Sequence, residues 1–536
     1  MTLATTGTTD ITRGLYSNAL FTAWSSILGL CAVPLLLRAL GLESYALVAL
    51  LLTMQALLMA LDMGLSSTVN RFVASYLARQ ELAQARNLIA SLNPVYAVVG
   101  ILVIVLGFML SDYLAANWLQ LQQLTTELVS TAFCLIACIV AVRWWLALYQ
   151  QALIGAGRVD LSSRIGIVTV TLAQAGGVAM AFATEDLRFY LAWVLACTCL
   201  QFVLLYLSAW RVLGGRHDAR AQWRSLRSVW GFSAAMAGVS LTGVVLMQAD
   251  RVLLSRTQAL EDFGVYGLAW TLTTGLYVIL TPTFNVIAPR LTATYAQADS
   301  AVLEAEYRRF SRVFFAVLFP IVCLGVVASS DLLQVWVGEG AVAGEAAMLF
   351  GVLLVATGMN GVMHFPYALQ LAAGRSDLAL KINLMLCVLH VPALFLLASS
   401  LGMLGAALAW LLTNSAYCLI GLPITRRAIR GHPGIWSWLR LDLAPPLMVS
   451  LGASGAVAFT CKELGLTGLW AVLIAASTGL VCVLFSLRVF SGLSVRDLHW
   501  PAALDSANGA NDSGVSEAGR INNSKSNSTS KSGVNA

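Results

Sequence analysis

The chain has 536 residues, of which 59% are hydrophobic and only 11% charged, with a mean hydropathy of +0.79. Soluble domains carry about 25% charged residues, so a soluble globular fold is excluded, and the absence of strand-like alternation excludes an outer-membrane barrel. The formal charge of +6 sits in short segments between apolar runs, which removes nucleic acid as the partner it implies.

Apolar runs near twenty residues long are the signature of membrane-spanning helices, and the pattern predicts an all-α polytopic membrane protein. Taken in chain order, fourteen stretches lie at about 16–37, 45–63, 90–110, 128–149, 165–183, 189–210, 232–254, 265–287, 312–329, 347–370, 380–399, 404–423, 443–460 and 468–488. The first follows a short leader containing Arg13 and shows no convincing cleavage site, so it reads as a retained span. The thirteenth contains Pro445 and Pro446 near its start, where a helix tolerates them. The longest inner segments, 211–231 and 288–311, have room for only a short surface helix.

From Asp505 onward, Ser, Asn and Gly supply 18 of 32 residues. Such a segment cannot bury enough apolar surface to fold and reads as a disordered tail. Ten cysteines lie almost entirely inside apolar runs. Cys134 with Cys138, and Cys197 with Cys199, have no His or carboxylate at ligand spacing beside them, so they read as small hydrophobes with no metal.

Basic residues orient the chain. With the N-terminus inside, 26 of the 32 Lys and Arg fall in inner segments; Arg38, Arg188, Arg251, Arg256 and Lys462 fall outside, and Arg143 lies within a span. The positive-inside bias predicts that both termini are cytoplasmic.

An internal repeat organises the spans. RFVASY at 71–76 and RLTATY at 290–295 share R-x-x-A-[ST]-Y, offset by 219 residues. Tyr45 and Tyr266 fit the same offset within two residues, and the offset pairs Gln55 with Thr274 and Asp62 with Thr281. Two copies of a six-helix unit face the same way and are related by an axis along the membrane normal. The predicted organisation is an N-terminal lobe (1–230), a C-terminal lobe (231–430), an added helix pair (431–490) and a disordered polar cytoplasmic tail (491–536).

Polar residues fall on helix faces. The first stretch has Asn18, Thr22 and Ser25; the second Gln55, Asp62 and Ser66; the eighth Trp270, Thr274, Tyr277, Thr281 and Asn285; the tenth Asn360, His364 and Tyr367. These stripes line a wet cavity between the lobes, or they glue neighbouring helices together.

Charge inside a span is sharper, because an Arg at a span centre costs about 2.5–3.5 kcal/mol even on the lenient insertion scale. Arg143, flanked by Trp144 and Trp145, is the deepest; it contacts substrate or forms a buried ion pair. Asp250 and Arg251, adjacent at the end of the seventh stretch, are expected to point apart and not to pair. Asp62 reads equally as a helix-end breaker. His364 and His390 titrate near neutrality in water and can carry protons. Arg71 and Arg290 stand as a repeat-related pair at the cytoplasmic mouth, where guanidinium suits phosphate and equally suits anionic lipid.

Four segments carry a resemblance over residues 13–490: the Asn18 helix leading to PLLLRALGLESYAL (34–47), LDMGLSSTVNRFVA (61–74), YQQALIGAGRVDLSSR (149–164) and QADRVLLSRTQALEDFGVYGLA (248–269). The chain resembles the polysaccharide (O-antigen and exopolysaccharide) flippases of the multidrug/oligosaccharidyl-lipid/polysaccharide (MOP) exporter superfamily. It departs from the pattern at Ala46, where the second copy keeps Gly267.

The resemblance implies a non-enzyme without cofactor that flips undecaprenyl-diphosphate-linked oligosaccharide across a bacterial inner membrane by alternating access. It implies Arg143 and Arg290 as the leading anion contacts, with Arg71 and Arg38 second. Asp62, Asp250, His364 and His390 would be the candidates for ion coupling. Polysaccharide polymerase and chain-length machinery are the implied protein partners. A multidrug-type or lipid II exporter is the alternative within the superfamily. A membrane glycosyltransferase or polymerase needs a large outer loop and acidic catalytic residues, and neither the loop nor a D-x-D triplet occurs.

Overall fold

The computed structural model describes residues 8–60, 65–216, 223–297, 299–338, 340–429 and 433–490. Asp62, Arg430 and the tail from residue 491 lie outside the described residues. The chain runs through α1 (Thr8–Leu40), α2 (Leu42–Ala60), α3 (Leu65–Ala78), α4 (Leu82–Tyr113), α5 (Thr126–Gly155), α6 (Val159–Thr184) and α7 (Leu187–Val212). It continues with α8 (Trp223–Thr257), α9 (Leu260–Thr274), α10 (Tyr277–Ala296), α11 (Ser300–Val327), α12 (Ser329–Val337), α13 (Ala341–Val362) and α14 (His364–Ala372). The last elements are α15 (Ser376–Ala416), α16 (Leu422–Ala428), α17 (Ile435–Trp438), α18 (Ala444–Glu463) and α19 (Leu469–Phe490).

Where they are described, the predicted stretches fall predominantly on helix. Eleven helical segments among the described residues are long and apolar enough to cross a membrane. α4 exposes Val98, Ile101, Leu102, Val105, Phe108 and Met109 on one surface, a contiguous apolar face that only lipid can cover. The protein is a multi-pass membrane protein.

Four stretches differ from straight, separate spans. The eighth is broken between α9 and α10, where Gly275 and Leu276 donate to the carbonyls three residues back, Leu272 and Thr273, at 3.1 and 3.0 Å. That tightening interrupts the helix within the predicted polar stripe, between Thr274 and Tyr277. The tenth is broken the same way at Met363, between α13 and α14. The eleventh and twelfth are the two limbs of α15, which folds back at Gly402 in a positive-φ conformation (57°) that glycine adopts readily. The segment 288–311 is not a loop: α10 runs to Ala296 and α11 begins at Ser300.

We call the end at which α1 begins the near end and the end at Gly41 the far end. α1 to α7 pack mainly on one another, and α8 to α16 mainly on one another. The larger crossing contacts are α2 against α8 and α9, and α4 against α8. α2 and α9 carry the segments that the sequence repeat pairs. They approach closely because α9 presents glycine: a Cβ on Gly267 would stand 2.9 Å from that of Ala49, and one on Gly264 would stand 3.3 Å from that of Ala46. Each pair is separated by 218 residues, within one of the repeat offset.

The added pair, α18 and α19, packs on α11. Prolines 445 and 446 stand at the start of α18, directly after a π-helical turn at 439–443 through which α17 runs on into it. Ahead of it, Trp438 is buried against Tyr307 and Phe315 and donates to Ser311 Oγ at 3.0 Å. Asp442, fully buried, accepts from Arg308 at 2.6 Å and from Arg312. Removing one partner of a buried ion pair costs about 3–5 kcal/mol, toward the lower end where the partners are partly exposed. Asp442→Ala is therefore expected to lower the thermal midpoint of the purified protein by several degrees, read by fluorescence in detergent. An unchanged midpoint would show that α18 and α19 are held by apolar contact alone.

Candidate functional site

In the first group of helices the site centres on Arg143. α5 is buried along most of its length, and its aromatic residues fix its rotation. Trp144 stacks on Tyr96 at 5.0 Å, while Trp145 donates to Asn93 Oδ1 at 2.9 Å. This turns Arg143 toward α2, where its Nη1 donates to Gln55 Oε1. Arg143 is half-buried, and among the described residues no carboxylate lies within ion-pair distance of it. Its partner is a neutral amide, so its charge is uncompensated and sits where α2 separates it from the second group.

The second group has a polar core that the sequence reading misplaced. Arg251 is not in an outer segment: α8 continues to Thr257, and Arg251 is 8% exposed. Its guanidinium lies 4.2 Å over the ring of Trp270 and donates to the Met247 carbonyl. Asp250 and Arg251 do pair, against expectation. Nε and Oδ1 are 3.6 Å apart, a charge contact without a hydrogen bond. The long arginine side chain curls back along its own helix, so adjacency in sequence did not keep the charges apart. The other Asp250 oxygen accepts from Tyr266 Oη at 2.6 Å. Across from α8, fully buried His390 joins Nδ1 to Thr413 Oγ1 at 2.7 Å, and its ring meets Trp410, which meets Trp270. Asp250 Oδ1, in charge contact with Arg251, and His390 Nε2 are buried without hydrogen-bond partners among the described residues. That leaves a cluster of α8, α9 and α15 with capacity for a proton or water.

The remaining predicted residues are more dispersed. Thr22 and Thr274 bond to backbone carbonyls of their own helices, Asn18 and Thr271. Asn18, Thr281 and Asn285 are exposed, and Tyr277 is half-buried. Asn360 donates to Asn414 at 2.9 Å and so ties α13 to α15. His364 meets the Asn360 carbonyl at 3.1 Å and the edge of Phe284. Arg290 is ion-paired with Glu306 at 3.2 Å, so its charge is shared within its own group. Arg71 is exposed on α3. Arg38 is exposed at the far end of α1.

The far end is closed. The segment after α4 is pinned by Glu43, whose carboxylate accepts from the backbone N–H groups of Gln122, Gln123 and Leu124 at 2.7, 2.7 and 2.8 Å. The segment so held reaches the second group. Leu260 N–H donates to the Gln120 carbonyl at 3.0 Å, Gln123 Nε2 donates to Glu261 at 2.6 Å, and Trp118 Nε1 donates to Ser255 at 3.1 Å. Tyr45 of α2 meets Thr271 of α9 at 3.1 Å just inside this strap. Glu43 was not singled out from the sequence because an acid in the first turn of a helix has an ordinary explanation in the helix dipole.

Comparison with known proteins adds the following. Residues 11–295 match the family model described as polysaccharide biosynthesis protein. A Shigella flexneri protein proposed to transport O-antigen is 21% identical over 188 residues, 35% of this chain and 44% of the relative, so the chain matches less than half of that relative's length. Among solved structures, the lipid II flippase MurJ in an inward closed conformation aligns with a TM-score of 0.68 at 11% identity, over 88% of this chain and 98% of its own. An inward-facing multidrug resistance MATE transporter of the MOP superfamily aligns at 0.64 and 14% identity, over 75% and 94%. A MOP-superfamily transporter from Pyrococcus furiosus aligns at 0.56 and 13%, over 78% and 95%. At these identities the structures establish a shared fold.

Proposed function

Because the chain belongs to the polysaccharide biosynthesis protein family and has the fold of the MOP-superfamily transporters, we propose that it flips a polyprenyl-diphosphate-linked oligosaccharide across the bacterial inner membrane. The observation that carries this reading is Arg143. A mid-span guanidinium held by an amide rather than a carboxylate keeps its charge for an anion from outside the fold. Two helix groups, latched at the far end and meeting through α2 and α9, would rock about that contact. The near end would face the cytoplasm, as the basic residues predict. The exposed polar residues Asn18, Thr281 and Asn285 would meet the glycan. Arg290, already paired with Glu306, becomes a secondary contact that must exchange partners to bind phosphate.

Energy coupling falls most naturally to Asp250 and His390. Both are buried in one cluster, and each has an open lone pair or donor there. Protonation of Asp250 would remove its charge contact with Arg251, whose guanidinium lies over Trp270 of α9, and so change the packing of α8 on α9. His364, set against Phe284, has fewer polar neighbours to read out a proton.

The test is accumulation of lipid-linked repeat units on the cytoplasmic face. A strain lacking the chain is expected to accumulate them and to lose the surface polymer. Asp250→Asn should reproduce the accumulation while the protein stays in the membrane. Normal polymer without accumulation in the deletion strain would remove the reading.

A further inference from the structure

The elbow that leads into α18 at the near end has two faces. Trp438 and Asp442, one helical turn apart, are both fully buried. Trp436 and Arg440, at the same spacing, are both exposed, and Leu441 is exposed beside them. The inward pair fixes the outward one. Trp438 is packed on Phe315 and bonded to Ser311 of α11, and Asp442 is held by Arg308 and Arg312 of the same helix. The elbow therefore cannot rotate to hide Trp436 without giving up those contacts. Trp436 is 82% exposed, the most exposed large apolar side chain among the described residues.

The near-end cations of the second group are of two kinds. Arg290, Arg308, Arg312 and Arg375 each hold a carboxylate. Arg426 and Arg427, in the last turn of α16, and Arg440 of the elbow hold none within ion-pair distance among the described residues. Arg426 lies against the start of α17, where a Cβ on Gly434 would stand 3.9 Å from its Nη2. Uncompensated guanidinium thus borders a bare tryptophan where α16 ends and α18 begins. The corner packs on α11, α14 and α18 and makes no substantial contact with the first helix group, so it stands apart from Arg143 and from the boundary at which the groups meet.

We propose that this corner is a docking surface for an anionic phospholipid of the near leaflet, with Trp436 at the level of its glycerol and Arg426 and Arg440 on its headgroup. Indole is favoured at that depth, where its ring meets acyl chain and its N–H stays wet. The arginines select among lipids, because an acidic headgroup carries net charge to attract and a zwitterionic one does not. An acidic protein segment lying in water would satisfy the arginines and leave Trp436 and Leu441 without an apolar partner; a lipid supplies both. Held beside the Asp442 clamp, the lipid would set the depth of the added helix pair. The inference is independent of what the protein carries.

The experiment uses the full-length protein in mixed phosphatidylcholine and phosphatidylglycerol vesicles, with benzophenone introduced at Leu441 and the two lipids as probes. The reference position is Leu384, exposed on α15 near the same end, where Arg375 and Lys381 are already paired with Asp377. Phosphatidylglycerol adducts at 441 are expected to exceed the ratio at 384 by about fivefold for each guanidinium engaged, the worth of one basic residue beside an acidic surface. Arg426→Gln with Arg440→Gln should bring 441 down to the ratio at 384, and Arg426→Lys with Arg440→Lys should keep the enrichment, because the attraction is charge on charge. Equal ratios at the two positions overturn the proposal, as does enrichment that survives the glutamine pair or is lost in the lysine pair. Photolysis in native membranes that yields a protein adduct at 441 in place of lipid would assign the surface to a partner protein and overturn it as well.

Discussion

A disulfide between cysteines placed at Gln120 and Ala259 is expected to stop transport completely and reversibly. The two residues are paired as neighbours in a short parallel bridge, with the Leu260 N–H on the Gln120 carbonyl. Paired strands run about 4.7–4.9 Å apart, inside the Cα window of about 4.4–6.8 Å that a disulfide spans. The bridge belongs to a segment that Glu43 holds by three backbone N–H groups, so the crosslink would tie a stiff part of one group to the head of α9 in the other. If the far end must open for the glycan to leave, a covalent tie there blocks every turnover. Repeat units should accumulate under oxidation and clear on reduction, and neither single cysteine variant should do this. Crosslinked protein that exports at the normal rate would sink the idea that the far end opens.

The second large effect is expected at Arg143. Replacing it with alanine should cut export by about a hundredfold, the worth of one to two charged hydrogen bonds to phosphate at about 1.5–3 kcal/mol each. Membrane abundance should hold or rise, because the substitution removes a residue that costs about 2.5–3.5 kcal/mol to place in a span. Arg143→Lys should recover only part of the activity, since a point charge on a flexible stem cannot offer the paired donors of guanidinium. Export by the alanine variant at the ordinary rate would take Arg143 out of the site. Loss of protein from the membrane in that variant would make its role one of packing with Gln55.

Much of this was legible in the sequence. Arg143 stood out as a guanidinium directly before two tryptophans in the middle of an apolar run. The 219-residue offset pairs residues of α2 with residues of α9, but that the two helices touch was not expected from it; Gly267, noted only as the second copy's counterpart to Ala46, is where they meet. Arg251 was lost to an outer segment because hydropathy weakens near a helix end, whereas α8 carries its charged pair inward by continuing to Thr257. The breaks at Gly275 and Gly402 had their glycines in plain view, but an apolar run reads the same whether it is straight, kinked or folded back.

From composition and periodicity alone it follows that this is a helical multi-pass membrane chain, and its pattern marks one unexplained charge at mid-span. The reason is that lipid offers backbone groups no partners, so every spanning segment must be a helix of fixed minimum length and apolar content. Only the tertiary structure decided which polar groups meet: Gln55 with Arg143, Asp250 with Tyr266 and Arg251, Glu43 with the backbone at 122–124, and Trp336 with the carbonyl that Pro34 orphans. In a bilayer, helices gain nothing from hiding apolar faces from one another. Hydropathy therefore carries no record of which faces meet, and the partners, up to 306 residues apart, are chosen by close packing and by the need to satisfy each buried polar group.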